Sequence, residues 1–422
     1  MSPKLSIIVP VHNVASFLPT CLNSIVGQGR DDVEVVLVDD RSTDASAAIC
    51  DDFARRHRAV RAIHLQENGG VGEARNHGLA AATGDYCLFV DGDDCLLPGS
   101  LARVSREIER LAPVDLLICH YHSESKVLSN AAMFLDGAAG KKLDAELVLE
   151  HLTRSNYYLD HCWPYVISRA LIERHAVRFI RSMVAEDAEF IVRILTLASS
   201  AAYCEGDFYL YRERDGSLKN ARGVAATASF LQVANAMRHF IATAASTETQ
   251  SAFVTSQIDH TLSAFSARLS LLDAKDLQSL ARMVHAEHLP AAIRQTCPGN
   301  IDDALFAHRN AADAATLELA SAAKGRPIFI YCAGPSAEAV VRTLLTAQHD
   351  VRAVVDDNEA LNGRSILGVP VVSRSHLAEL DAEAKSSALV VICIQKRAAH
   401  RRIAASLSDG GFAPGQIVHR VF

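Results

Sequence analysis

The 422-residue chain has no long apolar run, no excess of basic residues and no paired-cysteine motif, and each absence removes a class of function. Its longest uninterrupted apolar stretches, such as Ala388–Ile394, fall far short of the roughly 20 residues that a bilayer-crossing helix needs. No transmembrane segment is expected, which leaves peripheral association as the only route to a membrane. Lys and Arg number 42 against 49 Asp and Glu, so the net charge is −7. That balance offers no cationic footprint for a phosphate backbone, and nucleic acid is not an expected partner. Ten cysteines are scattered from Cys21 to Cys393 without CxxC spacing. They read as reduced, buried thiols of a cytoplasmic protein, with neither disulfides nor structural zinc expected. No charged-then-apolar export signal precedes the strand-like run at Leu5, so secretion is not indicated. Internal repeats and low-complexity tracts are absent as well.

What is present is an ordinary globular balance, 49% hydrophobic and 22% charged, over a length that suits two or three domains. In the first hundred residues, Leu5–Pro10, Val33–Asp39, Val60–Leu65 and Tyr86–Val90 are apolar almost throughout, as parallel strands covered on both faces should be. Between the first two, Phe17, Leu18, Cys21, Leu22, Ile25 and Val26 recur at helical spacing behind Ser16, a candidate N-cap. Asp44 opens the next helix, with Ile49 and Phe53 on one face. The alternation predicts an α/β fold with right-handed crossovers and a parallel sheet. Residues 223–324 turn Ala-rich and helical, with apolar residues returning every three or four positions over Ile258–Leu272. After Gly325 a second α/β pattern begins: strand Ile328–Cys332, helix Ala337–Ala347, strand Val351–Val355 and strand Ala388–Ile394.

In an open parallel sheet, ligands bind beyond the carboxyl ends of the strands, where loops and helix N-termini converge. Here those ends read Pro10-Val11-His12-Asn13, Asp39-Asp40-Arg41-Ser42, Glu67-Asn68-Gly69-Gly70 and Asp91-Gly92-Asp93-Asp94. All four are polar, and the acidic ones flank no obvious basic partner. Three carboxylates in the last of them repel one another unless a cation or strong donors intervene, and hard oxygen ligands select Mg²⁺ or Mn²⁺. Gly92 would let the backbone approach a ligand closely. Taken alone, the same residues also fit a solvated acidic turn before Pro98; a buried strand leading into them favours the metal. Asp39 and Asp40 suit a capping turn with Ser42, Thr43 and Asp44, and equally a contact to a ribose or a base. Gly69, Gly70 and Gly72 suit either a phosphate cradle or a tight turn.

Six stretches resemble the inverting family 2 glycosyltransferases of GT-A fold: Ser6–Asn13 (SIIVPVHN), Val35–Ser46 (VVLVDDRSTDAS), Glu67–Tyr86 (ENGGVGEARNHGLAAATGDY), Phe89–Asp94 (FVDGDD), Ala185–Phe190 (AEDAEF) and Tyr211–Ser217 (YRERDGS). The similarity covers residues 1–222 and implies a GT-A nucleotide-binding domain there; the Ala-rich stretch reads as a helical connector (223–324), and a Rossmann-like domain (325–422) is expected after it. It also implies roles. Asp40 would bond the base of a nucleotide diphosphate sugar, uracil in a UDP-sugar being the family default, with Pro10 and His12 lining the base pocket and Asn68 and Arg75 shaping the site. Asp91, Gly92 and Asp93 would form the DxD element, Asp93 touching a bridging Mn²⁺ or Mg²⁺. Asp187, at the start of a helix, would be the general base toward a hydroxyl of a glycan or glycolipid acceptor. Without the upstream stretches, Glu186-Asp187 would read as helix-start charges favoured by the dipole.

The chain departs from the family's pattern at His12, usually Tyr, at Arg41, usually Gly, and at Trp163-Pro164-Tyr165, often Trp-Asn-Lys. Trp163, Tyr165, Tyr157 and Tyr158 suit either a sugar-stacking wall or core. The tail from Ile328 resembles the small Rossmann-like domain of sugar acyltransferases, but its turn, Cys332-Ala333-Gly334-Pro335-Ser336-Ala337, keeps one of the three glycines of a dinucleotide site. Asp356-Asp357 would suit a ribose, and a structural or homo-oligomerising role fits the degenerate turn. The functional expectation is a metal-dependent sugar transferase of surface polysaccharide synthesis, cytoplasmic or at the inner face of the membrane. Its competitors are a nucleotide-sugar-modifying protein working through the tail and a non-catalytic nucleotide-sugar binder.

Overall fold

A computed structural model of the chain describes residues 4–124, 133, 137–138, 140–181, 184–213, 223–244, 246–269, 271–284, 325–331, 340–342, 344–345, 348–357, 361–393, 397–413 and 416–419. The chain divides into two compact units, residues 1–219 with 233–257, and residues 220–232 with 258–422.

The first unit is built on a nine-stranded sheet. Strands β1 (Leu5–Val11), β2 (Val33–Asp39), β3 (Val60–His64) and β4 (Tyr86–Phe89) lie in the order β3-β2-β1-β4, all parallel. Every residue of β1 is buried, which explains why its sequence does not alternate. Helix α1 (Leu18–Val26) buries Leu18, Cys21, Leu22 and Ile25, the stripe expected at 3.6-residue spacing. Its N-cap position is Phe17 with no side-chain cap bond, so the expected Ser16 cap is not formed. Helix α2 (Ser46–Arg56) starts two residues after Asp44, whose carboxylate accepts from the Ser46 and Ala15 N–H groups. Helix α3 (Val71–Ala81) presses so closely on β1 that a Cβ at Gly78 would sit 2.2 Å from Ile8 Cγ2.

Beyond β4 the sheet becomes mixed. Strands β5 (Cys95–Leu96), β6 (Leu116–Ser123), β7 (Lys142–Asp144), β8 (Tyr165–Ser168) and β9 (Ser200–Tyr211) complete it, β8 antiparallel to both β4 and β6, and β9 parallel to β6. Helices α4 (Ser100–Leu111), α5 (Ala145–Arg154), α6 (Arg169–Arg174) and α7 (Glu186–Leu197) lie between these strands in the chain. Helix α7 buries residues all round, from Ala188 and Phe190 to Leu195, and carries Glu186, Asp187 and Glu189 in its first turn, where the dipole favours acids.

Helices α8 (Val224–Ala244), α9 (Glu248–Leu269) and α10 (Ala274–Met283) follow, and the boundary between the units falls within α8 and α9. The second unit carries a six-stranded sheet, β12-β13-β11-β10-β14-β15, from β10 (Ile328–Tyr331), β11 (Val351–Asp356), β12 (Ser365–Ile366), β13 (Val369–Ser373), β14 (Leu389–Ile392) and β15 (Ile417–His419). All its pairings are parallel except β12 with β13. Helices α11 (Arg374–Glu379), α12 (Ala382–Ser387) and α13 (Arg397–Asp409) accompany it, and residues 340–342 and 344–345 are helical. The turn Cys332–Ala337 lies outside the described residues. Asp357, one of the two candidate ribose acceptors, instead takes a 2.5 Å hydrogen bond from the Tyr331 hydroxyl. Among the described residues, no helix is long and apolar enough to cross a membrane, and eight cysteines are buried free thiols.

Candidate active site

The polar ends of β1, β2 and β4 lie on the same edge of the first sheet because the three strands are parallel and in register, Val11 opposite Asp39 and Ile8 opposite Phe89. The acidic turn after β4 brings Asp91, Asp93 and Asp94 together, with one carboxylate oxygen of each within 4.8 Å of the others. Three hard oxygen donors at this spacing fit a divalent cation such as Mg²⁺ or Mn²⁺. The three are not equivalent. Asp94 is buried, accepting from the Tyr209 hydroxyl (2.7 Å) and the Arg212 N–H (2.8 Å). Burial first, then repulsion from Asp91 and Asp93, raises its carboxyl well above the ordinary range, against the pull of those two donors. The Tyr209 hydroxyl also accepts from the Asp91 N–H at 3.1 Å, so one tyrosine holds both ends of the turn. Asp91 and Asp93 stay half-buried. Gly92 is required for a different contact from the one expected: its missing Cβ would meet Val14 Cγ2 at 3.1 Å and the Pro10 carbonyl at 3.3 Å, which are protein rather than ligand.

The acidic turn after β4 does have basic partners, contrary to the sequence reading, Arg212 from far along the chain and Arg75 from the preceding helix. Arg212 donates from Nε to the Asp93 carbonyl and from Nη2 to the Phe17 carbonyl (3.1 Å), its guanidinium 5.2 Å from the Phe17 ring. Arg75, on α3, donates from Nη2 to Asp91 Oδ1 (2.8 Å) and from Nη1 to Glu186 Oε1 (2.7 Å). Its side chain is only 3% exposed. Asp187, the next residue along α7, is half-buried, and its carboxyl is raised well above the ordinary range by burial first, then by repulsion from Glu186, with Arg75 opposing and Asp91 adding to it. The fields of Asp91, Glu186 and Asp187 therefore overlap at one arginine.

At the other end of the edge, Asp40 is buried, and its two oxygens accept from the Gly69 N–H (2.7 Å) and the Gly70 N–H (2.8 Å). Those N–H groups are thereby taken by protein, which favours the tight turn over the phosphate cradle for Gly69 and Gly70. Gly72 serves packing, since a Cβ there would meet the Ile180 carbonyl at 3.1 Å and Glu186 Cγ at 3.3 Å. His12 and Asn68 converge on the Asp40 carbonyl, His12 through Nδ1 at 2.8 Å and Asn68 through Nδ2 at 3.1 Å. Pro10 is buried in β1 just before them. Arg41 adopts φ +56°, the left-handed region that suits glycine, so the backbone keeps the glycine-type turn despite the side chain.

The family model for glycosyl transferase family 2 matches residues 6–166, which hold both clusters. Residues 6–166 are a family 2 glycosyltransferase domain. Its relatives include an uncharacterized glycosyltransferase, EpsJ, of Bacillus subtilis, 34% identical over 230 residues that make up 52% of this chain and 63% of EpsJ. They also include the glycosyltransferase GlyA of Streptococcus pneumoniae, 32% identical over 51% of this chain and 31% of GlyA. The chain thus matches less than two thirds of the length of either. Among solved structures, S. aureus TarS 1–349 in complex with UDP-GlcNAc superposes with a TM-score of 0.53 at 21% identity, over 74% of this chain and 92% of that one. The likeness is one of fold, and the GT-A fold expected from the motifs is the fold found.

Three contributors were given no role by the sequence reading, although Asn13 and Arg212 stood in its quoted stretches. Tyr209 and Arg212 are reached only through the pairing of β9 with β5 and β6, and Asn13, at φ +53°, ties the first two strand ends by accepting from the Thr43 N–H (2.8 Å) and the Asp44 N–H (3.3 Å). Asn after an apolar strand was the signal available for the last of them. Three of the four aromatic residues are core: Trp163, Tyr165 and Tyr157 are buried, Tyr158 is half-buried, and Trp163 stacks on Tyr209 at 4.2 Å between centroids. Residues Arg214–Ser217 of the last motif lie outside the described residues.

Proposed function

We propose that the domain transfers a sugar from a nucleotide diphosphate, a UDP-sugar by the family default, to a hydroxyl of a glycan or glycolipid acceptor with inversion. The observation that carries the reading is the convergence, on one sheet edge, of the Asp40–His12–Asn68 cluster and the acid triad, with Glu186, the neighbour of Asp187 in sequence, tied to Asp91 of the triad through Arg75. Asp40, with Pro10 and His12, would receive the base, and the 2.8 Å bond from His12 to the Asp40 carbonyl holds the ring toward that end. Asp93, with Asp91, would hold the Mn²⁺ or Mg²⁺. A bound divalent cation supplies Lewis-acid neutralisation of the charge that builds on the leaving diphosphate.

Asp187 takes the proton of the acceptor hydroxyl as its oxygen bonds to the anomeric carbon. On the opposite face the bond from that carbon to the diphosphate oxygen breaks, so one displacement inverts the centre. A carboxyl with a raised pKa is a stronger base once ionised, which suits it to a weakly acidic hydroxyl. The similarity to the minor teichoic acid biosynthesis protein GgaB of Bacillus subtilis, 27% identical over 50% of this chain and 23% of GgaB, supports a place in the assembly of a surface polysaccharide. The test is a panel of nucleotide sugars with Mn²⁺ or Mg²⁺, scored by nucleotide diphosphate released in the presence of glycan acceptors. Metal-dependent release from at least one donor is expected. No release from any donor, together with no calorimetric binding of UDP or GDP, would refute the reading.

A further inference from the structure

Arg75 was grouped by resemblance with residues that shape the donor site, yet its surroundings describe another task. Its side chain is 3% exposed, and both Nη groups are committed to carboxylates of segments that are distant in sequence, Asp91 after β4 and Glu186 at the start of α7. The guanidinium also lies 5.3 Å from the centre of the Phe179 ring, which stacks on Phe190 of α7 at 3.9 Å. Gly72, one turn before Arg75 on α3, lets Glu186 Cγ approach. The segment so gripped is not relaxed: Ala185, immediately before Glu186, sits at φ +65°, where an alanine is strained.

We propose that Arg75 is a positioning residue that bridges the acidic turn to the start of α7 and so fixes Asp187 relative to the triad that faces the donor. The proposal rests on the transferase reading for the role of Asp187, while the bridge itself can be measured without it. One planar fork makes both bonds. A lysine keeps the charge but presents a single ammonium in place of the fork, so Arg75→Lys should break the bridge and loosen both of the segments it joins.

The experiment compares wild type, Arg75→Lys, Asp187→Asn and the double variant for calorimetric affinity for UDP with Mn²⁺, for kcat and KM of transfer, and for amide exchange. Arg75→Lys is expected to lower kcat by at least about 30-fold while UDP affinity stays within about 3-fold. In the Asp187→Asn background the same substitution should cost no more than about 3-fold, because a base that is absent cannot be misplaced. Exchange should rise together in residues 89–95 and 184–190. Glu186→Gln keeps an acceptor oxygen for Arg75 and should fall between wild type and Arg75→Lys. Loss of UDP affinity in step with kcat would make Arg75 a donor contact and overturn the proposal. Equal losses in the two backgrounds, or exchange rising in one segment alone, would overturn it too. Wild-type protein inert with every donor refutes the transferase reading and the catalytic part of this one with it; uncoupled exchange in an active enzyme refutes this one alone.

Discussion

Asp93 and Asp94 are adjacent and chemically identical, yet Asp94 is buried and Asp93 half-buried, so replacing each by alanine is a direct test of the site. Asp94→Ala removes the acceptor of two hydrogen bonds, 2.7 Å from the Tyr209 hydroxyl and 2.8 Å from the Arg212 N–H. Each buried donor left without a partner costs about 1–3 kcal/mol, or about 2–6 together. Relief of the repulsion from Asp91 and Asp93 returns part of this, so the expected loss is about 2–4 kcal/mol. Asp93 is half-buried, and its side chain is the proposed cation ligand; Asp93→Ala should change stability by no more than about 0.5 kcal/mol. The chain's single tryptophan, Trp163, is stacked on Tyr209, so its fluorescence during denaturation reports this unit and not the other. With Mn²⁺ and UDP at about 100 times their Kd, wild type should gain about 2.7 kcal/mol. Asp94→Ala should start lower and keep that gain, whereas Asp93→Ala should start level and lose it. The reasoning is refuted if Asp93→Ala unfolds as readily as Asp94→Ala, or if Asp94→Ala is as stable as wild type.

Three further outcomes are expected. Asp187→Asn should keep UDP affinity and lower single-turnover transfer by at least about 100-fold, since an amide cannot take the acceptor's proton; a loss under about 10-fold would remove Asp187 from the base role. Asp94, Glu186 and Asp187 all have folded-state pKa values above their unfolded ones, so the folded chain holds protons that the unfolded chain has released. Their contribution to stability is therefore lost as pH rises from about 4 through the raised values, and a cation offsets that loss. Added Mn²⁺ should then raise the midpoint of thermal unfolding more at about pH 7.5 than at about pH 5.5, and an equal shift at both would contradict it. Gly78→Ala, whose Cβ would lie 2.2 Å from Ile8 Cγ2, should destabilise the first unit by about 1–3 kcal/mol in the same fluorescence assay; a neutral result would mean that α3 does not press on β1 as described.

The left half of the first sheet was legible because its signals are local. A strand buried on both faces must be apolar at every position, as β1 and β2 are, and an amphipathic helix must repeat at 3.6 residues, as α1 does. The right half was not anticipated. Strands β5 to β9 pair partners separated by more than a hundred residues in places, as Cys95 is from Leu210, and no local pattern states which distant segment will lie alongside. Capping was misjudged at Ser16 for a related reason: the position suited a cap, but the chain enters α1 through Phe17.

By itself the sequence determined the kind of chemistry available here, since an apolar strand running into Asp91-Gly92-Asp93-Asp94 can deliver clustered oxygen ligands whatever else the chain does. It also determined which strand ends carry polar groups. Tertiary structure alone decided how those groups divide the work. Asp94 was turned into a buried acceptor by Tyr209 and Arg212, Asp40 into a partner for two backbone N–H groups, and Glu186 into one side of a bridge through Arg75. The physical reason is that a carboxylate's task depends on how much water it keeps and which donors reach it, and both are set by segments brought together only when the sheet closes.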